Sequence, residues 1–369
     1  MIKVCHLTYD MRIGGAEMVI KNIIEGSDNA EFDMSLFCLE TPLGPWGIAL
    51  KQDGLTVGEY SRQPGFDLQA IKMIRQFVKQ NEIDVLHCHQ YTPWFYGTIA
   101  CLGLHTKIIF TEHGRFYPDI RSPKRRFINP ILRFFTAKIT AISKATANAL
   151  QEFEYIPLPY TQVIYNGISE QNPELKCNIR NSLNIDSDTL ILGTIARFDP
   201  IKNHLMMLEG LHLALQTGVK AHFLLVGDGE HRQTIEQKIE ALNLDGHVTM
   251  TGYISAPFDY LHAMDVFLLT SFSEGTSMTL LEAMRDAKPC IVTDVGGNPE
   301  VIEHDYNGIV IPSGDSKKLA NAIGKLAVNE DIREGMGKKA IQLFRKKFSA
   351  SQMNIAFGEI YRALSGRQN

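Results

Sequence analysis

The sequence predicts an α/β protein made of two parallel-sheet domains, each covered by helices on both faces. Three observations lead there. Short apolar runs alternate with longer amphipathic ones along the chain. The alternation stops between Asn166 and Leu183, where no long apolar run occurs, and then restarts. The chain has 369 residues, long for one core and comfortable for two.

The elements follow in order. IKVCHLTYD is a strand pattern, then come Gly14-Gly15 and AEMVIKNIIEG at helical spacing. MSLFCLE is a second strand, and LQAIKMIRQFVKQN has apolar residues three and four apart, as a core-facing helix does. DVLHCHQ and KIIFTEH are buried strands that end in polar residues. KITAISKATANALQEF gives a strand and a helix, and TQVIYNG closes the first series.

The second series has strands in TLILGTIARF, AHFLLVGDG, HVTMTGYI, VFLLTS, KPCIVTDVGG and GIVIPSGD. Helices lie between them in NHLMMLEGLHLALQ, RQTIEQKIEALN, MTLLEAMRDA and KKLANAIGKLAV. A last helix lies in FSASQMNIAFGEIYRALSG, with Ser349 or Ser351 to cap it. The expected division is a Rossmann-like domain over 1–165, a second over 166–348, and a closing helix over 349–369.

Composition narrows the function. A net charge of −4 gives no global field for nucleic acid. None of the six cysteines forms a C-x-x-C pair, which predicts reduced, buried thiols and a cytoplasmic protein. The N-terminus reads as a strand and not as a secretory signal, and no apolar stretch reaches spanning length. His87-Cys88-His89 looks like a metal cluster, but adjacent strand residues point to opposite faces, so no metal site is predicted there.

Ligands of open parallel sheets bind beyond the carboxyl ends of the strands, and two such sheets facing each other would form a cleft. The polar residues just after strands are therefore the candidates. Arg197 and Lys202 in GTIARFDPIKN suit a diphosphate, or else form a solvated surface pair. SEGTSMTLLEAM puts Glu274 and Glu282 around a turn and a helix start. Gly275 permits close approach, and the amides of Thr276, Ser277 and Met278 lie where an anion is favoured. The plainer alternative is that Glu274 complements the helix dipole and Glu282 is merely exposed. His113 in TEHGR follows a strand and is either catalytic or structural. Gly14-Gly15 lacks the G-x-G-x-x-G fingerprint, yet the loop has room to approach a phosphate or an acceptor. Gly227-Asp228-Gly229 is a weaker case of the same kind.

Taken together, these stretches resemble glycosyltransferase family 4, the retaining glycosyltransferases of GT-B fold. The resemblance covers nearly the whole chain. It is most specific at Gly193, Arg197, Lys202 and Asn203, at the Glu274–Glu282 pair, and in VGGNPEVI from Val295 to Ile302. It implies that Arg197 and Lys202 hold the donor diphosphate, Glu274 the sugar hydroxyls and Glu282 the ribose. It also implies that the amides from Gly275 to Met278 meet phosphate and sugar, that His113 contacts the sugar near its 6-position, and that Gly15 lies close to the diphosphate. The final helix would cross back to the first domain. Same-face attack, with the leaving phosphate helping to take the acceptor proton, would need no covalent nucleophile.

Cleavage of a sugar–diphosphate bond builds negative charge on the leaving group. Two fixed cations and a helix N-terminus can neutralise it without metal. Asp186-Ser187-Asp188 spells a D-x-D motif but precedes a strand, so it is expected in a turn. No cofactor is expected. Two departures from the family pattern stand out. Ala287 replaces the usual glycine after the helix, which would shift the helix end. Thr276 and Ser277 replace a bulky pair, which would alter which sugar fits.

The segment 121–138 carries basic residues beside Phe127, Ile128, Ile131, Leu132, Phe134 and Phe135. It suits an anionic membrane surface, or packs its apolar side inward, and Pro130 is expected to break any long helix. Candidates for acceptor contact are His89, Tyr91, Trp94 and Arg115. The expected activity is retaining, metal-independent transfer of a sugar from a nucleotide-diphosphate donor, a UDP-sugar first. The acceptor would be a saccharide or a lipid-linked saccharide in surface polysaccharide or glycolipid synthesis. Alternatives are a GDP-sugar-dependent, mannosyltransferase-like enzyme, a GT-B phosphorylase or epimerase, and a non-catalytic nucleotide-sugar-binding protein. The expected location is cytoplasmic, with room for peripheral contact at the inner face of the membrane.

Overall fold

The computed structural model describes residues 1–114 and 121–366. The chain divides into two compact units. Unit 1 comprises Met1–Ser169 and the segment from Phe348 onward, and unit 2 comprises Glu170–Lys347.

Unit 1 is a seven-stranded sheet: β1 (Ile2–Thr8), β2 (Phe32–Cys38), β3 (Thr56–Glu59), β4 (Val85–His89), β5 (Lys107–Glu112), β6 (Lys138–Ala141) and β7 (Thr161–Val163). The spatial order is β3-β2-β1-β4-β5-β6-β7, and every pairing is parallel. The β1–β4 register sets His6 opposite His87. Alternation along β4 then sorts the side chains. Leu86 and Cys88 join Cys5 and Leu7 in one apolar core. His87 and His89 lie with His6 on the other face, each fully buried.

The helix Leu68–Gln80 shows how that core is closed. Asp67 caps it, accepting from the amides of Gln69 at 2.8 Å and Ala70 at 3.1 Å. Ala70, Ile74 and Val78, one turn apart, are buried against the sheet. Each of the two larger side chains contributes about 1.5–3 kcal/mol on burial.

On the histidine face the cover is the helix Ala350–Ser365. Its Phe357 and Tyr361 rings lie 5.0 and 5.9 Å from His87. Ser349 caps it, and Arg362 pairs with Glu31 at 2.7 Å. The strand-like bridge Ile168–Ser349 brings this segment onto the end of the first one.

Unit 2 is a six-stranded parallel sheet: β8 (Leu190–Ile195), β9 (Ala221–Val226), β10 (Val248–Gly252), β11 (Val266–Leu269), β12 (Cys290–Thr293) and β13 (Gly308–Ile311), in the order β10-β9-β8-β11-β12-β13. Its main core gathers Leu192, Phe223, Leu225 and Leu268 beneath the helices His204–Gln216 and Ser316–Ala327.

The elements outside the expected ones include the strand Thr56–Glu59, the helices Pro45–Gln52, Tyr91–Ala100 and Glu330–Lys347, and the short helices Ile179–Ser182, Phe258–Ala263 and Asn298–Val301. Thr56–Glu59 is an edge strand with one large apolar residue, Val57. Tyr91–Ala100 is buried on most of its surface, so it has no polar face to mark its period. Pro130 does not end its helix, which runs from Arg125 to Phe134. Its ring only removes the amide that would bond to Arg126. Five cysteines are buried and Cys177 is exposed. No helix among the described residues is long and apolar enough to cross a membrane.

Candidate functional site

In unit 2 the strand order reverses between β8 and β11. Loops leaving the carboxyl ends of two such strands diverge, and a ligand fits between them. The loop after β8 carries Arg197 and Lys202, and the loop after β11 carries Ser271 and Glu274. Lys202 Nζ donates to Glu274 Oε1 at 2.6 Å, and Ser271 Oγ donates to the same oxygen at 2.6 Å. The Glu274 side chain is only 9% exposed, so the pair is shielded and strong for an ion pair. Two further bonds lace the loops together. Thr270 Oγ1 donates to Asn203 O at 3.1 Å, and the Phe272 amide donates to Ile201 O at 2.8 Å.

Arg197 is held differently. Its side chain is 76% exposed and donates to Asp199 at 2.5 Å. The loop beneath it rests on Gly227 and its neighbours. Gly227 has φ +147, and a Cβ there would lie 2.0 Å from Ala196 O. The Phe198 amide bonds to Asp228 O at 2.9 Å. Gly227-Asp228-Gly229 thus supports the Arg197 loop, a backbone role distinct from ligand approach. Gly296 does the same for Glu274. It has φ +52, and a Cβ there would meet Glu274 O at 1.9 Å. The Gly297 amide bonds to that carbonyl at 3.2 Å. This close approach is the physical reason for the first glycine in VGGNPEVI.

Ser277 caps the helix Met278–Arg285, its Oγ accepting from the Leu280 amide at 3.4 Å. Thr276 and Ser277 are buried. Glu282 sits within this helix between fully buried Leu281 and Ala283. It is not idly exposed: burial raises its carboxyl above the ordinary range, with the Arg285 charge opposing. Ala287 follows the C-cap Asp286 of this helix. It takes up the left-handed turn itself, at φ +54. Asp188 pairs with Lys220 at 2.5 Å just before β8, at the opposite end of the strand from Lys202.

Unit 1 has its own reversal of strand order, between β1 and β4. Here the groups are imidazoles. His6 Nδ1 lies 2.9 Å from His89 Nε2, and His89 Nδ1 lies 2.7 Å from His113 Nε2. His87 bonds separately to Tyr361 Oη at 2.8 Å and to Thr111 Oγ1 at 2.6 Å. Burial drives the pKa of His6 and of His113 down to about 3 and holds His87 and His89 well below the ordinary range. All four are neutral at any working pH. His6, His87 and His89 offer nitrogens within 4.8 Å of one another, the one such grouping found among the described residues. Cys88 is not part of it, because its side chain lies in the apolar core on the other face.

Two acceptor candidates need correction. Trp94 is fully buried, stacked on Phe110 at 4.3 Å, with its indole N–H on Thr136 at 2.8 Å. It is a core residue. His89 is also fully buried, and both its nitrogens are bonded to other histidines. The Tyr91 hydroxyl bonds to Asn129 at 2.7 Å under the Arg125 guanidinium. Arg115 lies outside the described residues. Gly15 is the exposed first residue of the helix Gly15–Glu25. Sequence reasoning missed Ser271, His6 and Tyr361. Only Ser271, three residues before Glu274, gave a local signal.

The fold is GT-B. HepE of Anabaena, solved in complex with UDP, superimposes with a TM-score of 0.86 at 22% identity, covering 98% of this chain and 100% of that one. The lipopolysaccharide outer core galactosyltransferase WaaB gives 0.75 at 20% identity, over 98% and 100%. Residues 13–172 match Glycosyltransferase Family 4, and residues 176–343 match Glycosyl transferases group 1. The chain is a glycosyltransferase and belongs to family 4. It is 28% identical to N-acetyl-alpha-D-glucosaminyl L-malate synthase of Bacillus anthracis, over 83% of this chain and 82% of that protein. It is 24% identical to UDP-Gal:alpha-D-GlcNAc-diphosphoundecaprenol alpha-1,3-galactosyltransferase of Escherichia coli, over 87% of each.

Proposed function

We propose that the chain transfers a sugar, with retention and without a metal, from a UDP-sugar to a saccharide or lipid-linked saccharide in surface polysaccharide or glycolipid synthesis. The observation that carries this reading is the shielded Lys202–Glu274 pair at the β8/β11 reversal. A diphosphate draws the ammonium away from Glu274, and the freed carboxylate then accepts from sugar hydroxyls. Arg197 supplies a second, exposed cation to the leaving diphosphate, and Glu282 takes the ribose. The amides from Gly275 to Met278 meet phosphate and sugar, Gly15 approaches the diphosphate, and His113 contacts the sugar. Unit 2 is the donor-binding domain and unit 1 the acceptor-binding one. UDP is favoured because HepE was solved with UDP and the E. coli relative is named for UDP-Gal.

The two named relatives differ in acceptor: one name carries L-malate and the other a diphosphoundecaprenol. A surface feature favours the lipid-linked class here. Phe127, Ile131 and Phe134 share one face of their helix and are 73%, 61% and 81% exposed, with Lys124 and Arg126 exposed beside them. Such a face suits peripheral contact with an anionic membrane.

Thermal unfolding with UDP, GDP, ADP or buffer alone, each with and without EDTA, tests the donor. A ligand at about a hundredfold its dissociation constant adds about 2.7 kcal/mol. A shift with UDP that survives EDTA is expected. A shift with GDP alone moves the reading to a GDP-sugar enzyme, and binding without turnover on any acceptor moves it to a non-catalytic binding protein.

A further inference from the structure

The three linked imidazoles of unit 1 constrain one another. A neutral imidazole has one N–H and one bare nitrogen. Three rings therefore hold three donors and three acceptors, and the His6–His89 and His89–His113 contacts use two of each. One donor and one acceptor remain, at opposite ends of the chain of rings. Those ends are His6 Nε2 and His113 Nδ1, and both are buried with no hydrogen-bond partner among the described residues. Only two arrangements are possible: every ring carries its proton on Nδ1, or every ring carries it on Nε2.

The ends differ. His6 is fully buried in the middle of the sheet, a dead end. His113 follows the last residue of β5, at the ligand-binding end of the sheet. Buried N–H groups without acceptors are rarer in folded proteins than acceptors without donors. Either arrangement leaves one buried N–H unpaired, at His6 or at His113, and only at His113 can a ligand supply the acceptor, so the dead end keeps the bare nitrogen. His6 Nδ1–H then donates to His89, His89 Nδ1–H donates to His113, and the proton of His113 is left on Nδ1. A free imidazole side chain in water prefers the other form.

We propose that His6 and His89 are positioning residues that hold His113 in its Nδ1–H form, so that His113 donates a hydrogen bond to an oxygen of the sugar and does not act as a base toward it. This rests on the reading of His113 as a sugar contact. The low pKa values of His6 and His113 agree with neutral rings throughout.

The test is NMR of isotope-labelled imidazole nitrogens in the full chain without ligand. His6, His89 and His113 should each show the proton on Nδ1. His6→Asp places an acceptor opposite His89 Nε2, so it should reverse the whole chain and move the His113 proton to Nε2. kcat/KM for the donor should then fall about tenfold, the worth of one hydrogen bond, with UDP affinity unchanged. His6→Asn, whose amide can turn its N–H toward His89 Nε2 as His6 Nδ1 does, should keep His113 in the Nδ1–H form. A wild-type His113 protonated on Nε2 overturns the proposal whether or not the aspartate variant folds. So does a folded His6→Asp protein with His113 unchanged. Failure of the wild type to bind any UDP-sugar sinks the donor assignment instead, and leaves the ligand-free spectra to decide the proton chain.

Discussion

In unit 1 the strand order reverses between β1 and β4, and in unit 2 between β8 and β11. The same topology holds opposite chemistry. Around the first reversal stand neutral imidazoles, linked to one another and covered by Phe357 and Tyr361. At the second stand a lysine and a glutamate that already neutralise each other, with Arg197 exposed nearby. One site is desolvated, its rings joined nitrogen to nitrogen. The other is charged, and its lysine is already paired inside the unit. The difference teaches that a reversal of strand order supplies a place, and that the side chains entering it decide what the place does.

The comparison can be broken most severely at Glu274. On the proposed assignment Glu274→Ala removes the acceptor for sugar hydroxyls and leaves Lys202 free for the diphosphate, so kcat should fall on the order of a hundredfold to a thousandfold while UDP affinity holds or rises. Steady-state kinetics beside calorimetry measures this. Loss of UDP binding with transfer intact would reverse the assignments of the two glutamates. The complementary variant, Glu282→Ala, should weaken UDP binding about tenfold.

Acid should weaken unit 1, with its four buried histidines, more than unit 2, where burial lowers His204 to about 4 and lowers His222 as well. Above pH 6.5 the four histidines are neutral in both folded and unfolded chains. As pH falls below 6.5, the unfolded chain takes up protons that the folded one refuses, down to about 3 for His6 and His113. Stability is thus fully present above that window and is lost as pH drops through it. Each histidine contributes a slope of about 1.4 kcal/mol per pH unit. Denaturant melts between about pH 7 and about pH 5 should show the loss, and His6→Asn should reduce the slope by about one such increment. An unchanged slope would mean that the ring at position 6 protonates in the folded state.

The smallest expected effect lies at the end of the Met278–Arg285 helix. Ala287 has φ +54, a conformation that costs a residue with a Cβ about 1–2 kcal/mol. Ala287→Gly should raise stability by about 1 kcal/mol, read as an increased denaturant midpoint, without changing activity. A loss instead would show that the Cβ packs usefully there.

Much of this was legible in the sequence because the decisive signals are local. β8, β11 and the residues just after them lie in continuous stretches, so Lys202 and Glu274 could be found by looking beyond strand ends. Their direct pairing could not, since it depends on two loops far apart in the chain meeting at a strand reversal. His6 was invisible for the same reason: its place beside His87 is a matter of strand register. Trp94 misled because a polar, aromatic-rich stretch after a strand resembles a binding loop, whereas Tyr91–Ala100 is a buried helix. The glycines at 227 and 296 were noticed, but their purpose, close backbone contact with the two site loops, is tertiary.

The helix Ala350–Ser365 completes unit 1 only after all of unit 2 has been made. During synthesis on the ribosome, the second unit can therefore fold while the first still lacks its cover. The face bearing His6, His87 and His89 stays wet until Phe357 and Tyr361 emerge, so those rings can be protonated in the nascent chain and must shed their charge as the last helix docks. A stop codon placed after Lys347 would leave this step undone, and the product should be a chaperone client in which unit 2 is native and unit 1 is not.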